Sequence, residues 1–202
     1  MPASAPSSKR KAFSLIELLI VIAIASLVGV LVVTGVGNSQ SAQLTASANQ
    51  LLDTLSLARE VAIAKNQPVE VWFLKPKNEP FISSYQMRLV DPDGTTGAKG
   101  GLIRLATGIG IDTGSQLSSF VSSANTKQWG GGSAPVIGSL GTNYDCWYLR
   151  FQPNGVPTLS SSSQHYLTIH RTGEGNGLAS LPANYAVIGI SPATGKARVY
   201  RP

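Results

Sequence analysis

Residues 10–36 read RKAFSLIELLIVIAIASLVGVLVVTGV, and the organisation of the chain follows from them. Leu18 to Val36 is a run of 19 residues without a charge. As a helix it would be about 28 Å long, close to the thickness of a bilayer's hydrocarbon core. Lys9, Arg10 and Lys11 stand directly before it, and residues 1–12 contain no acid. Basic flanks stay on the cytoplasmic side, so the bulk of the chain is expected outside. Three readings compete: a cleaved secretory signal, a plain membrane anchor, and a precursor that loses a short leader but keeps its apolar helix.

Glu17 bears on the choice. It follows Phe13-Ser14-Leu15-Ile16 and opens directly into the apolar run. A carboxylate at membrane depth costs on the order of a few kcal/mol and marks function by default. At headgroup level the cost is small, so Glu17 alone leaves both readings open. A conventional signal cleavage can be drawn near Ser39-Gln40-Ser41, before Ala42. That reading leaves Glu17 unexplained and discards the helix that follows.

Beyond Gly37 the chain turns polar but keeps helical spacing. Leu44, Ala48, Leu51, Leu55, Ala58 and Ala62 form a narrow apolar stripe, and Pro68, preceded by Asn66 and Gln67, ends the segment. The period then changes to two. Strands are expected at 69–74, 85–90, 146–151, 166–170, 185–190 and 197–201, separated by turn signals such as Asp91-Pro92-Asp93-Gly94 and Pro153-Asn154-Gly155. Residues 107–144 are rich in Gly and Ser with little periodicity, and read as a long variable loop. The expected fold class is α+β, a long N-terminal helix packed on an antiparallel β-sheet head.

Composition argues against several functions. The formal charge is +6, but three of those charges sit in the leader, and without them the chain carries +3, a weak basis for nucleic-acid binding. Cys146 is the single cysteine; it excludes an internal disulfide and, beside Trp147, reads as a buried core thiol. His165 and His170, five apart on a strand, point to opposite faces and read as structural or surface residues. Gly173-Glu174-Gly175-Asn176-Gly177 lacks the lysine and following helix of a phosphate loop and reads as a flexible turn. Asp91 and Asp93 lack the rest of an EF-hand loop and read as turn residues. No nucleophile, metal or cofactor motif is present, so the chain is expected to be no enzyme, with no metal and no cofactor.

Residues 10–20, RKAFSLIELLI, resemble the processing site of type IV prepilins. The resemblance implies cleavage between Ala12 and Phe13 by a prepilin peptidase, N-methylation of Phe13, and an assembly role for Glu17 opposite the Phe13 ammonium of a neighbouring subunit. Ala12 stands where the family usually has glycine. Three further patches resemble the H-type minor pseudopilins and the FimT-type pilins: Leu57 to Ala62, Arg150 to Gly155, and Ile190 to Val199.

The implied organisation is a basic leader over 1–12, a transmembrane and filament-core helix over 13–37, an amphipathic helix over 38–67, and a β-rich head over 68–202. The implied partners are prepilin peptidase, other pilins or pseudopilins through the N-terminal helix, and the inner membrane. The N-terminus would be cytoplasmic and the head periplasmic before entry into a type II secretion pseudopilus or a type IV pilus-like filament. Two alternatives stay open. One is a DNA-uptake pilin in which Lys196, Arg198 and Arg201 hold nucleic acid; the other is an anchored module that never polymerises. For Lys196 and Arg198 the competing reading is a solvated edge strand.

Overall fold

The computed structural model describes residues 15–121, 125–129 and 134–202, and over 27–39 the backbone alone. The chain divides into two compact units, Met1–Gln40 and Ser41–Pro202. One helical run, α1 (Leu15–Lys65), contributes residues to both.

In the first unit, the α1 side chains from Leu15 to Ile24 lie exposed, Leu15 at 83% and Ile24 at 58%. Among the described residues, no helix is long and apolar enough to cross a membrane. The expected span Leu18–Val36 runs into 27–39, whose side chains fall outside that description.

The second unit is built on the rest of α1. Leu44, Ala48, Leu51, Leu55, Ala58 and Ala62 are all buried, as the sequence stripe requires. The helix stops because Asn66 takes a left-handed conformation (φ 49°), letting its N–H and that of Gln67 close on the carbonyls of Ile63 and Ala62.

Nine strands follow: β1 (Val69–Pro76), β2 (Ser84–Val90), β3 (Thr96–Ala98), β4 (Ile103–Arg104), β5 (Ile109–Ile111), β6 (Tyr144–Phe151), β7 (His165–Arg171), β8 (Tyr185–Ile190) and β9 (Ala197–Tyr200). They form two antiparallel sheets. The first has the order β3-β2-β1-β6, with β4 also on β2; the second has the order β5-β7-β8-β9. The helix stripe and the inner faces of both sheets share one core, including Val71, Phe73, Leu149, Phe151, Leu167, Ile169 and Ile188.

The six strands read from periodicity are all present. Residues 107–144 correct the expectation of a variable loop. They contain β5 and bury Leu117, Phe120, Val121 and Ile137. Phe120 stacks edge-on against Phe73 at 5.2 Å, which places this segment in the main core. Its stretch from 134 onward covers the outer face of the first sheet. There Ile137 packs with Trp72, Leu74, Tyr144 and Cys146 in a second apolar cluster. That cover explains why β1 is buried on both faces rather than alternating. The Cys146 thiol is buried, and loss of solvation pushes its pKa up.

Candidate assembly site

Ala12 and Phe13 lie outside the described residues. Glu17 stands in the first turn of α1, where the helix dipole favours a carboxylate. Its side chain is exposed, between the exposed Ile16 (68%) and Leu18 (59%). A carboxylate is thus displayed from an apolar helix surface.

In the head, three separate stretches of sequence meet at Arg59. The Arg59 Nε–H donates to the Thr194 carbonyl at 2.9 Å, tying α1 to the β8–β9 hairpin. Gly155, at φ +77°, closes the turn after β6, and a Cβ there would lie 2.7 Å from Ile63 Cδ1 and 3.2 Å from Arg59 Nε. Gly195, at φ +70°, has no room for a Cβ against the Gly155 carbonyl oxygen, and Arg59 Cδ and Phe151 Cε1 would each lie only 3.3 Å away. Leu57–Ala62, Arg150–Gly155 and Ile190–Val199 are therefore one junction in space. Each was legible alone as a motif; only the fold shows why they belong together.

The C-terminal cations separate into two kinds. Arg201 donates from Nη1 to the Ser41 carbonyl at 3.3 Å and to the Thr45 hydroxyl, and from Nη2 to Asn184 Oδ1 at 2.6 Å and to Ser41 Oγ at 3.2 Å. These bonds hold its guanidinium against Ser41, Thr45 and Asn184. Lys196, directly before β9, and Arg198, on its outward face, are both exposed. Segment 194–201 runs beside α1 in the opposite direction, since Thr194 meets Arg59 while Arg201 meets Ser41 and Thr45.

Among the described residues, two buried carboxylates were missed from sequence. Glu70, fully buried on β1, accepts the Trp72 indole N–H (2.6 Å), Lys127 Nζ (3.0 and 3.1 Å), and Arg150 Nε (2.9 Å) and Nη2 (2.5 Å). Burial alone raises its pKa, but the hydrogen bonds from Trp72, Arg150 and Lys127 outweigh burial and hold it below the usual carboxylate value.

Asp112 is the other. Its Oδ1 accepts the Gly114 N–H at 2.6 Å, and its Oδ2 accepts the Gly177 N–H at 2.9 Å and lies 3.1 Å from His170 Nε2. Asn176 Oδ1 accepts the Thr113 N–H at 2.9 Å. The Gly173–Gly177 stretch is therefore tied to a buried carboxylate, which corrects the reading of a flexible turn. Both histidines are buried, which settles the structural-or-surface alternative; His165 Nε2 lies 2.9 Å from the Ser160 carbonyl.

Asp91 and Asp93 serve a turn. Thr95 donates its N–H (2.9 Å) and hydroxyl (2.7 Å) to Asp93 Oδ1, and this hydroxyl, followed by the N–H, lowers the Asp93 pKa. Among the described residues, no cluster of three or more His, Cys, Asp or Glu is placed to hold a metal ion.

No curated protein matches the chain. Among solved structures, the minor pseudopilin EpsH from the type II secretion system of Vibrio cholerae is similar at 14% identity, over 79% of this chain and 98% of that one, with a TM-score of 0.47. The type IV minor pilin FimU of Pseudomonas aeruginosa strain PAO1 is similar at 17% identity, over 79% of this chain and 97% of that one, with a TM-score of 0.46. Residues 7–33, which include Phe13 and Glu17, match the prokaryotic N-terminal methylation motif, and in this segment the chain is type IV prepilin-like.

Proposed function

We propose that the chain is a minor pilin or pseudopilin of the H-type, made as a precursor and assembled into a type II secretion pseudopilus or a type IV pilus-like filament. The observation that carries this is the methylation motif on residues 7–33, which ends within the apolar helix displaying Glu17. Prepilin peptidase cuts between Ala12 and Phe13 and methylates the new amine. The helix over 13–37 first holds the subunit in the inner membrane, with the leader cytoplasmic and the head periplasmic. It then packs against the same segment of neighbouring pilins. The helix over 38–67 supports the head over 68–202, and the role is structural rather than catalytic.

Glu17 gives the assembly its register. In the filament core it faces the Phe13 ammonium of a neighbour, and a buried carboxylate is tolerated when so paired and strongly penalised when not. The exposed apolar side chains around Glu17 support this, because apolar surface on that scale calls for lipid or protein cover.

The test is intact mass and N-terminal sequencing of membrane-derived protein from cells with a prepilin peptidase. A chain beginning at N-methyl-Phe13 is expected. One keeping Met1 would establish a plain anchor, and one beginning near Ala42 a secreted domain. Glu17→Ala should leave cleavage intact and abolish incorporation; normal incorporation would refute the pairing role. The rival DNA-uptake reading rests on Lys196, Arg198 and Arg201, of which Arg201 also donates to Ser41, Thr45 and Asn184. It requires a gel shift at low salt that Lys196→Ala/Arg198→Ala removes.

A further inference from the structure

The register of the second sheet shapes a trough on its outer face. Tyr166, Gly189 and Arg198 lie side by side across β7, β8 and β9, and Val187 faces Tyr200 one step along. Alternate residues share a face, so β8 turns Tyr185, Val187 and Gly189 outward, and of these Val187 and Gly189, followed by Ser191 just past the strand, line the groove. Gln164 and Tyr166 rise on the β7 side; Lys196, Arg198 and Tyr200 rise on the β9 side. The result is a groove of about 910 Å³.

The two walls differ in chemistry. The β9 wall carries Lys196 and Arg198, both exposed, and no carboxylate lines the groove. Among the described residues neither cation is ion-paired; the pairs formed are those of Lys75, Lys127, Arg150 and His170. The opposite wall is fixed, since the Tyr166 hydroxyl donates to the Gln116 carbonyl at 3.0 Å. At Gly189 the floor carries no side chain, and the Tyr200 ring leans over its edge, 3.4 Å from where a Cβ would stand.

We propose that this trough binds an extended, carboxylate-bearing peptide segment of a neighbouring subunit, an inference that rests on the assembly reading for the identity of the neighbour. Lys196 directly precedes β9 and Arg198 lies on it, and along an extended chain alternate side chains repeat at about 6.6 Å. An extended peptide in the trough presents alternate side chains to that wall at the same spacing. Two acidic residues at i and i+2 then meet the two cations, while Tyr166 and Tyr200 flank the peptide backbone. From Val187 to Ser191 the floor is about 13 Å long, room for about four extended residues. The phosphates of a nucleic acid would find only these two free cations, a short electrostatic footprint for backbone binding.

Full-length protein in detergent micelles is titrated against fluorescein-labelled peptides of sequence Gly-Glu-Thr-Glu-Thr-Gly and Gly-Gln-Thr-Gln-Thr-Gly, followed by anisotropy. A dT12 oligonucleotide is titrated in parallel at the same salt. The acidic peptide is expected to bind at least tenfold more tightly than the amide peptide and than the oligonucleotide. Lys196→Glu/Arg198→Glu is expected to reverse the preference, so that a Gly-Lys-Thr-Lys-Thr-Gly peptide binds instead. Gly189→Val fills the floor at a backbone conformation that valine adopts freely, and is expected to abolish binding with an unchanged circular dichroism spectrum. Equal binding of the two peptides, tighter binding of the oligonucleotide, or binding indifferent to both variants would overturn the proposal. Processing at Phe13 and the effect of Glu17→Ala do not enter this assay, so the assembly reading and the trough can fail independently.

Discussion

At the scale of the residue, buried polar groups set the head's response to pH. Glu70 has a folded pKa below its ordinary value, so it contributes stability that is present above that value and lost as pH falls through the folded pKa. Thermal melts of the wild type should therefore fall in midpoint as the pH drops below about 4. Glu70→Gln should lower the midpoint at pH 7, at a cost of about 3 kcal/mol, because Lys127 and Arg150 lose their carboxylate; it should also flatten the acid limb. An acid limb unchanged in the variant would assign acid unfolding to another group. Gly195→Ala tests the junction at Arg59. The new Cβ meets the Gly155 carbonyl and the backbone stays at positive φ, so urea unfolding should show a loss of about 1–3 kcal/mol.

At the scale of the element, α1 was the most legible part of the chain, because a narrow stripe at 3.6-residue spacing has one physical explanation. Leu51 on that stripe is fully buried, whereas Leu57 on the opposite side is 49% exposed. Leu51→Ala should cost about 2–5 kcal/mol in chemical denaturation, and Leu57→Ala less than about 0.5 kcal/mol. Equal costs would mean that the outward face is also covered. The longer strands were legible for a related reason: β8 buries alternate residues, and β9 alternates half-buried with exposed ones. Strands β3, β4 and β5 were not, because two or three residues carry no period. The role of Asp112 was equally hidden. Its partners Gly114, His170 and Gly177 lie up to 65 residues away, and nothing local in the sequence marks a carboxylate as buried. At the expected processing segment the reverse held: Ala12, Phe13 and Glu17 were singled out by the resemblance of residues 10–20 to a prepilin processing site, while the fold adds only the exposed setting of Glu17.

At the scale of the whole molecule, the second unit closes by contacts between residues far apart in sequence. Arg59 meets Thr194 across 135 positions, and Arg201 meets Ser41 across 160. Arg201→Ala removes four hydrogen bonds from a partly buried guanidinium, with an expected loss of about 2 kcal/mol. Hydrogen exchange should accelerate at residues 41–45 and in β9 while β1 and β2 keep their protection; uniform acceleration would show that the head opens only as one unit. The two clamps have a mechanical consequence. They tie segment 194–201 to α1 at both ends, like a splint on a rod. A force drawing α1 lengthwise out of the head loads both clamps at once, in shear, and cannot peel them open one after the other. A molecule tugged by its helix should therefore stay folded until both ties yield together, in a single abrupt rupture rather than a gradual unzipping.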